Sequence, residues 1–489
     1  MKKKWFLNRV AFMVMFFVIF FNSNSLSSVV FTKADSPYFI TSDLVIDNQD
    51  TIIFEAGANL ILSPGVNIIT NGVIMMNGTA SEPVTLLPEI AGVGWGKIKI
   101  NAPGNTSFIT HAHITDGIIL SLSCHMTLDH VKFSNNQQLT WQDPIMFVKG
   151  ASVNTKNSSI YGNNRGEGFL MQNSADVHIS DCYFTKIPDA IELIGVNGGV
   201  IRKNRFENIP DDAIDLNNCD NTLIDSNIII NVADRGMELG AEHFGNSENI
   251  LVVRNILIGC NEGIIFKENS SGQLINNTFY ANNTGVSCIE DATTKKGSNA
   301  SIHNCIFSGS VDRDIFHDAN SGVVASFCLS DKAELLGESN LFDNPMFINA
   351  NDNNFRLREG SPCIDAGNPD FPLDPDSTIS DIGAFYYSMD TTGLFDLNDL
   401  FNQIDLYPNP FMGGFTISLP IEQTDEVSIE LYSLQGQIIP SVVKKTFFPF
   451  IQTLNIQPTQ GAFPDTNIVC KITIGNLSKS YVLLHSSLY

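Results

Sequence analysis

One short pattern recurs through the middle of the chain and restricts its fold more than any other feature. Each copy has an apolar residue, a small residue three places later and a branched or aromatic residue two places after that, as in Ile201, Asn204 and Phe206. Successive copies start 19 to 28 residues apart, which is the length of a unit that buries its apolar face only by stacking on its neighbours. The copies start at Ile109, Leu128, Thr155, Ile179, Ile201, Ile224, Val252, Leu274 and Ile302. The repeat therefore predicts a solenoid.

The alternation inside each copy has a period of two, and its branched and aromatic residues favour β-strands over helices. Successive turns of one chain stack their strands in parallel. An Asn repeated at one position of each coil predicts a ladder in which each amide hydrogen-bonds to the next. The predicted ladder consists of Asn204, Asn227, Asn255 and Asn277, with Cys182 and Cys305 at the same position in the flanking coils.

The start of the chain has the composition of a secretory signal. Three lysines, Lys2 to Lys4, precede an apolar run from Val10 to Phe21. That run is shorter than the roughly 20 apolar residues of a membrane span. We expect residues 1–34 to be a signal peptide, cleaved near Ala34, and the mature protein to be exported and to have no transmembrane segment.

The rest of the chain divides into three parts. The repeats predict a parallel β-solenoid over residues 35–390, which the segment from Asn340 to Tyr387 closes. Residues 391–404 have little periodicity and are predicted to form a linker. Residues 405–489 contain alternating strands of five or six residues separated by turns, which predicts a small antiparallel β-sandwich. The predicted fold class is thus all-β throughout.

Composition narrows the possible partners. The chain has 52 acidic and 28 basic residues and a net charge of -24. Such a surface repels nucleic acid and would repel an acidic polysaccharide unless a cation lay between them. The nine cysteines include no Cys-x-x-Cys pair, and we interpret them mainly as small buried apolar residues. We expect a monomer that does not bind nucleic acid.

A second strand of each coil carries acidic residues in two aligned columns. The first column contains Asp189, Asp212, Arg235 and Glu262, and Asp211 lies beside it; the second contains Glu192, Asp215, Glu238 and Ile265. Neighbouring strands lie about 4.8 Å apart, so the carboxylates are expected to form a band on one face. Like charges at that spacing are unfavourable unless a cation or added protons relieve them. The band is therefore a candidate Ca²⁺ site, and a solvated acidic surface is the alternative.

Two segments in the C-terminal part of the chain carry family resemblances. Ser361-Pro-Cys-Ile-Asp-Ala-Gly367 and Asp381-Ile-Gly-Ala-Phe385 resemble the closing segment of secreted β-helix proteins of the pectate-lyase-like superfamily. That resemblance implies a right-handed parallel β-helix. Tyr407-Pro-Asn-Pro410 and the strands after it look like the type A C-terminal sorting domain of the type IX secretion system. This second resemblance implies a Bacteroidetes-type exported protein, recognised by the type IX machinery and released or held at the cell surface.

The acidic band resembles the sites of two enzyme families. Asp211-Asp-Ala-Ile-Asp215 resembles the calcium motif of family 9 pectate lyases, and Asp189 matches a further Asp one coil earlier. The catalytic Lys of that family would fall at Glu238, whereas Lys267 is expected at the corresponding place one coil further on. Asp189, Asp211 and Asp212 also match the carboxylates of family 28 polygalacturonases, which are inverting hydrolases. The His of that family is absent, since its place is held by Arg235.

These observations lead to one set of expectations. The protein is expected to bind or process polysaccharide, as a Ca²⁺-dependent polyuronate lyase of the pectate or alginate type, with an inverting polygalacturonase-like hydrolase as one alternative. A non-catalytic surface adhesin or structural β-helix module is the other. The expected metal ligands are Asp189, Asp211, Asp212 and Asp215; the candidate bases are Lys267 and Arg235; and the candidate substrate-binding residues are Glu192, Glu238 and Glu262.

Overall fold

The computed structural model describes two regions of the chain. The first comprises residues 28–46, 50–134, 143–240, 245–291, 293–332 and 335–387. The second comprises the strands 405–407, 415–421, 425–433, 438–447, 450–456, 468–474 and 477–483. Most of the predicted signal peptide and the whole of the predicted linker lie outside the described residues. Within these ranges the chain forms no α-helix, and no helix is long and apolar enough to cross a membrane.

The first region is a parallel β-helix whose coils each contribute strands to three faces. Its predicted all-β fold is confirmed. The first face contains Ser28–Phe31, Thr51–Glu55, Ile74–Asn77, Val153–Lys156, Val177–Ser180, Val200–Arg202, Leu223–Asp225, Ile250–Val253, Ser271–Ile275, Asn299–His303 and Gly322–Ser326. The second face contains Tyr38–Ile40, Asn59–Leu62, Val84–Pro88, Ser159–Tyr161, Tyr183–Thr185, Arg205–Ile209, Ile228–Val232, Ile256–Ile258, Thr278–Tyr280, Ile306–Ser308, Leu329–Ser330 and Leu341–Phe342.

Two longer strands, Thr106–Thr115 and His125–Ser134, run through both of these faces. The third face is a separate sheet of twelve parallel strands. It contains Leu44–Ile46, Ile68–Thr70, Gly96–Asn101, Gly117–Leu122, Pro144–Lys149, Glu167–Gln172, Ile191–Ile194, Ile214–Asn217, Arg235–Leu239, Glu262–Phe266, Thr284–Cys288 and Arg313–His317.

The coils stack in register because like side chains meet along the interior. Ile179, Ile201 and Ile224 are direct neighbours on the first face and are fully buried. On the second face the inward Phe184 and Phe206 rings stack with centroids 5.0 Å apart. All nine cysteines are buried and unpaired, as the sequence predicts for residues that replace an apolar side chain in the core.

The bend between the first and second faces holds the predicted asparagine ladder, which is confirmed. Asn255 Nδ2 donates to Asn277 Oδ1 at 3.1 Å, and Asn255 Oδ1 accepts from Asn227 Nδ2 at 2.9 Å. Each amide also donates to a backbone carbonyl and accepts from the backbone N–H of the preceding rung. The ladder continues through Cys305 and Cys328. The Cys305 sulfur accepts from the Asn277 N–H, and the Cys328 sulfur accepts from the Cys305 N–H.

The closing segment forms the last rung of the β-helix and then covers part of its second face. Leu341–Phe342 pairs with Leu329–Ser330 as the last rung, and the chain then folds back along the second face. There the short antiparallel strands Phe347–Asn349 and Asn354–Leu357, joined by the 3-10 helix Ala350–Asp352, bring Phe355 against Ile256 and Ile258. The outward isoleucines of this part of the face are therefore covered, which the repeat pattern alone did not indicate.

The first described strand lies inside the predicted signal peptide. Ser28–Phe31 pairs in parallel with Thr51–Phe54, and the Phe31 ring stacks on Phe54 with centroids 5.0 Å apart. Cleavage near Ala34 would remove this strand from the first coil. A cleavage point before Ser28 would keep it.

The second region contains two antiparallel sheets, which agrees with the predicted antiparallel β domain. One sheet has three strands in the order Asp405–Tyr407, Phe415–Ile421 and Phe450–Ile456. The other has four strands in the order Ile438–Phe447, Asp425–Ser433, Ile468–Ile474 and Leu477–Leu483.

Candidate functional site on the third face

The third face places the acidic residues in the two columns that the sequence predicts. The second column is confirmed directly by the strand register, which pairs Glu192 with Asp215 and Asp215 with Glu238. In the first column, Arg235 pairs with Glu262. Backbone hydrogen bonds from Ala190 N–H to Asp212 O and from Ala213 N–H to Arg235 O join the coils that hold Asp189, Asp212 and Arg235. We call the carboxylates of these two columns, together with Asp211, the acidic site.

Three carboxylates of the acidic site converge at the corner where each coil enters the third face. Asp189, Asp211 and Asp212 each offer an oxygen, and these oxygens lie within 4.8 Å of one another. Backbone donors fix two of them, since Asp189 Oδ1 accepts from the Asp212 N–H at 3.3 Å and Asp212 Oδ1 accepts from the Arg235 N–H at 2.9 Å. Three of the four expected metal ligands are thus brought together.

Asp215, the fourth expected ligand, lies three residues after Asp212, within the strand Ile214–Asn217. Its Oδ2 accepts from Asn217 Nδ2 at 2.8 Å, and the same amide reaches Glu192 Oε1 at 3.3 Å. Its Oδ1 is buried without a hydrogen-bond partner in the described part of the chain. A buried acceptor without a donor is unusual in a folded protein, and burial together with Glu238 raises the pKa of Asp215, which favours its neutral form.

Both candidate bases contact Glu238, which is only 4% exposed. Arg235 Nη1 lies 2.6 Å from Glu238 Oε2, and Lys267 Nζ makes an ion pair with Glu238 Oε1. Arg235 also lies 3.5 Å from Asp212 Oδ2. Glu238 therefore positions two cations at the acidic site and does not itself present a free carboxylate to a substrate.

The register corrects the expected place of Lys267. Glu238 pairs with Ile265 on the next strand, so Lys267 lies two residues beyond the place that corresponds to Glu238. The long side chain nevertheless returns its ammonium group to Glu238, because a lysine stem spans that offset. Of the three candidate substrate-binding residues, Glu262 accepts a hydrogen bond from Ser287 Oγ at 2.7 Å and lies 3.7 Å from Arg235 Nε.

Sequence reasoning missed Glu167, which belongs to the first column. The register pairs Phe169 with Ile191, which aligns Glu167 with Asp189, and Glu167 is buried at 8% exposure. The signal was present, because Glu167-Gly-Phe-Leu170 has the same form as Asp189-Ala-Ile-Glu192. The site therefore extends over one more coil than predicted.

Burial and mutual repulsion raise the pKa values of these carboxyl groups. Burial, and after it repulsion by the Glu192 carboxylate, raises the pKa of Glu167 to about 8. Burial and the neighbouring Asp211 raise the pKa of Asp189 to about 7. Burial and Glu238 raise the pKa values of Asp212 and Asp215 as well. Perturbed carboxyl groups of this kind cluster at functional sites, whereas a solvated acidic surface would keep ordinary pKa values.

These pKa values predict that the protein without metal loses stability as the pH rises. The unfolded chain releases the protons of Glu167 and Asp189 above about pH 4, while the folded chain keeps them until about pH 7 to 8. The unfolded state then binds fewer protons than the folded state, so the free energy of unfolding falls across that window. We expect the melting temperature in chelator to be several degrees lower at pH 8 than at pH 5.

Thermal unfolding of a Glu167→Gln variant provides the comparison, because this substitution removes one titrating group without changing the side-chain shape. The variant should show a smaller pH dependence than the parent protein. Asp176→Asn, at an exposed bend of the first face, should leave the dependence unchanged. A melting temperature that is constant between pH 5 and pH 8 would contradict the assignment.

Comparisons with known proteins agree with both regions of the fold. Residues 116–257 match a family described as "Right handed beta helix region", and residues 405–461 match one described as "Secretion system C-terminal sorting domain". No curated protein matches the chain.

Several solved structures are similar to the chain at low identity. A mutant of the periplasmic alginate epimerase AlgG is 12% identical with a TM-score of 0.43, and the match covers 57% of this chain and 78% of that one. The catalytic domain of a GH87 alpha-1,3-glucanase is 13% identical with a TM-score of 0.33, covering 58% and 68%. Endopolygalacturonase I from Stereum purpureum is 10% identical with a TM-score of 0.29, covering 61% and 99%.

Likenesses this distant do not identify an activity. The family matches, the parallel coils and the two antiparallel sheets nevertheless agree in their placement along the sequence. The sorting domain indicates secretion to the cell surface or the medium. The chain thus contains a parallel β-helix with a right-handed β-helix region at residues 116–257 and a type IX C-terminal sorting domain that begins at residue 405.

Proposed function

We propose that the acidic site binds Ca²⁺ and, with it, an acidic polysaccharide of the polyuronate class, which the protein cleaves by β-elimination. The observation that carries this proposal is the convergence of Asp189, Asp211 and Asp212, whose oxygens lie within 4.8 Å of one another. Two oxygens that share one Ca²⁺ lie at most about twice a Ca²⁺–oxygen bond apart, which is about 4.8 Å, so the three oxygens are close enough to share one. The buried oxygen of Asp215 has no hydrogen-bond donor among the described residues, and repulsion between carboxylates helps to raise the pKa of Asp189. A bound cation would supply a partner for that oxygen and reduce the repulsion.

The donor set fits a hard cation. All of its members are carboxylates, and the described site contains no sulfur or imidazole ligand, so oxygen-preferring Ca²⁺ suits it better than zinc. When bound, the cation would neutralise a uronate carboxylate and acidify the adjacent C–H group. It would also reverse the local charge, which otherwise repels such a substrate.

The two cations of the site have distinct places. Arg235 is held among Asp212, Asp234 and Glu238, so its guanidinium is suited to orienting carboxylates rather than to moving a proton. Among the described residues, the Lys267 ammonium has a single carboxylate partner, Glu238, and a lysine can serve as a base where its surroundings favour the neutral amine. We therefore assign Lys267 Nζ as the proton acceptor and Arg235 as a positioning group.

A hydrolase is the second candidate, because the protonated carboxyl groups of Glu167 and Asp189 could each act as a general acid. The close spacing of Asp189, Asp211 and Asp212 counts against an inverting pair among these three, since inverting carboxyl groups lie about 6.5 to 9.5 Å apart. This spacing favours elimination over inverting hydrolysis by these three residues.

The test incubates the secreted protein with polygalacturonate and, separately, with alginate, in the presence of Ca²⁺ or a chelator. Ultraviolet absorbance detects the unsaturated product of elimination, and a reducing-end assay detects cleavage of either kind. We expect an absorbance increase with one of the polymers that requires Ca²⁺. New reducing ends without an absorbance increase would contradict the lyase and support the hydrolase. No product in any mixture would leave a non-catalytic binding surface as the function.

A further inference from the structure

The second face carries an aromatic and basic surface on the coils that hold the acidic site. We call it the Tyr161 patch, and it consists of Lys132, Tyr161, Tyr183, Lys186 and Arg205. The register places them in two adjacent columns. Lys132, Ser159, Tyr183 and Arg205 form one column, and Tyr161 lies in the other, between Ser134 and Thr185. Lys186 follows the strand Tyr183–Thr185. The closing segment packs further along the face, on Ile228, Ile256 and Tyr280. Solvent therefore reaches the patch.

The two tyrosine rings form a small platform. Their centroids lie 5.6 Å apart with the rings tilted by 53°, and Tyr161 is 40% exposed. Lys132 Nζ lies 4.9 Å from the centre of the Tyr161 ring. An exposed tyrosine with a cation over its face presents an apolar surface and a charge at one place.

Hydrogen bonds fix one edge of the platform. Tyr183 Oη donates to Glu207 Oε2 at 2.8 Å, and Arg205 Nε donates to Glu207 Oε1 at 2.7 Å. Glu207 is thereby neutralised by Arg205. Lys132 and Lys186 are exposed, and within the described ranges neither has a carboxylate partner. The patch is thus locally positive on a chain whose net charge is -24.

The shape and charge of the patch match one class of ligand. The C–H face of a pyranose ring packs on an exposed tyrosine, and a carboxylate on the same ring accepts hydrogen bonds from lysine. Tyr183 precedes Asp189 by six residues on the same coil, so a chain that crosses the corner between the second and third faces could contact both surfaces. We propose that the Tyr161 patch is a second, cation-independent binding surface for an anionic polysaccharide.

This inference rests on the proposed function for its class of ligand, but the two can fail separately. The test is retardation of the secreted protein in native gels that contain polygalacturonate, alginate or neutral dextran, all with chelator to silence a Ca²⁺ site. We expect retardation by at least one of the acidic polymers and none by dextran. The Tyr161→Ala/Tyr183→Ala variant should bind that polymer about tenfold more weakly.

The control variants separate the two surfaces. Phe316→Ala removes another exposed ring that has an arginine over its face, and it should leave the retardation unchanged. Asp212→Asn should also remain retarded. Tyr161→Ala and Lys132→Gln, which change only exposed side chains, repeat the test should the double variant be less stable. Retardation that persists in all the patch variants, that is equal with dextran, or that is lost only in Asp212→Asn would overturn the inference.

Discussion

Asp212→Asn is expected to lower the rate of product formation by at least about a hundredfold, the effect of losing an essential ligand or acid–base group. Asp212 is 5% exposed, contributes one of the three converging oxygens, and lies 3.5 Å from Arg235. The amide that replaces it keeps the hydrogen bond from the Arg235 N–H, because Asn Oδ1 can accept it, but it removes the charge that would hold a cation.

The same substitution should not destabilise the fold. Burial and Glu238 raise the pKa of Asp212, so the protein without metal already favours the neutral form, which an amide imitates. We expect the melting temperature in chelator to be equal to or higher than that of the parent protein. The measurement pairs the initial rate with a thermal scan, and Asp176→Asn on the first face serves as the control. A rate within a factor of about three of the parent would contradict the role assigned to Asp212.

Asn255→Ala is expected to lower the free energy of unfolding by about 3 kcal/mol or more, since each buried group left unpaired costs about 1 to 3 kcal/mol. The Asn255 side chain is fully buried, donates to Ile224 O and to Asn277 Oδ1, and accepts from both Asn227 N and Nδ2. Truncation orphans donors and acceptors on both neighbouring coils at once.

The matched control is Asn154→Ala, which changes an exposed outward Asn in a strand of the first face. Surface changes of this kind alter stability by about 0.5 kcal/mol or less. Denaturant unfolding of the two variants measures the difference. A loss no larger in Asn255→Ala than in Asn154→Ala would show that the ladder is not a source of stability.

The repeat predicted the solenoid because each short copy has an apolar face that only a neighbouring copy can cover. Phe206 is fully buried, and its register partners on the two neighbouring coils, Phe184 and Ile229, cover it from both sides. The position of the asparagine ladder followed in the same way, since an amide at the same position of each coil meets the amides of the coils before and after it. The right-handed sense came from a resemblance rather than from the repeat.

The acidic site was predicted in part. Its columns could be aligned from Asp-Ala-Ile segments, but the sequence does not show which carboxylates turn toward each other. Asp189, Asp211 and Asp212 converge because a backbone turn places them at one corner, whereas Asp215 lies further along its strand. Glu238 was expected to meet substrate, yet it is buried between Arg235 and Lys267. Such contacts depend on the directions of long side chains, here those of Arg235 and Lys267, and the spacing of residues in the sequence does not determine these directions.

The closing segment shows the same limit. Its motif indicated where the β-helix ends, but its packing on Ile256 and Ile258 depends on a chain reversal that no periodicity encodes. The outward isoleucines of the second face were a signal that could have been used, because exposed apolar columns require a cover.

Calorimetric titration of the metal-free secreted protein with Ca²⁺ at pH 8 tests the central claim most directly. The account predicts one saturable site that is lost in Asp189→Asn and in Asp212→Asn and retained in Asp176→Asn. Absence of binding to the parent protein, or equal binding by all of these variants, would show that the converging carboxylates of the third face do not form a cation site.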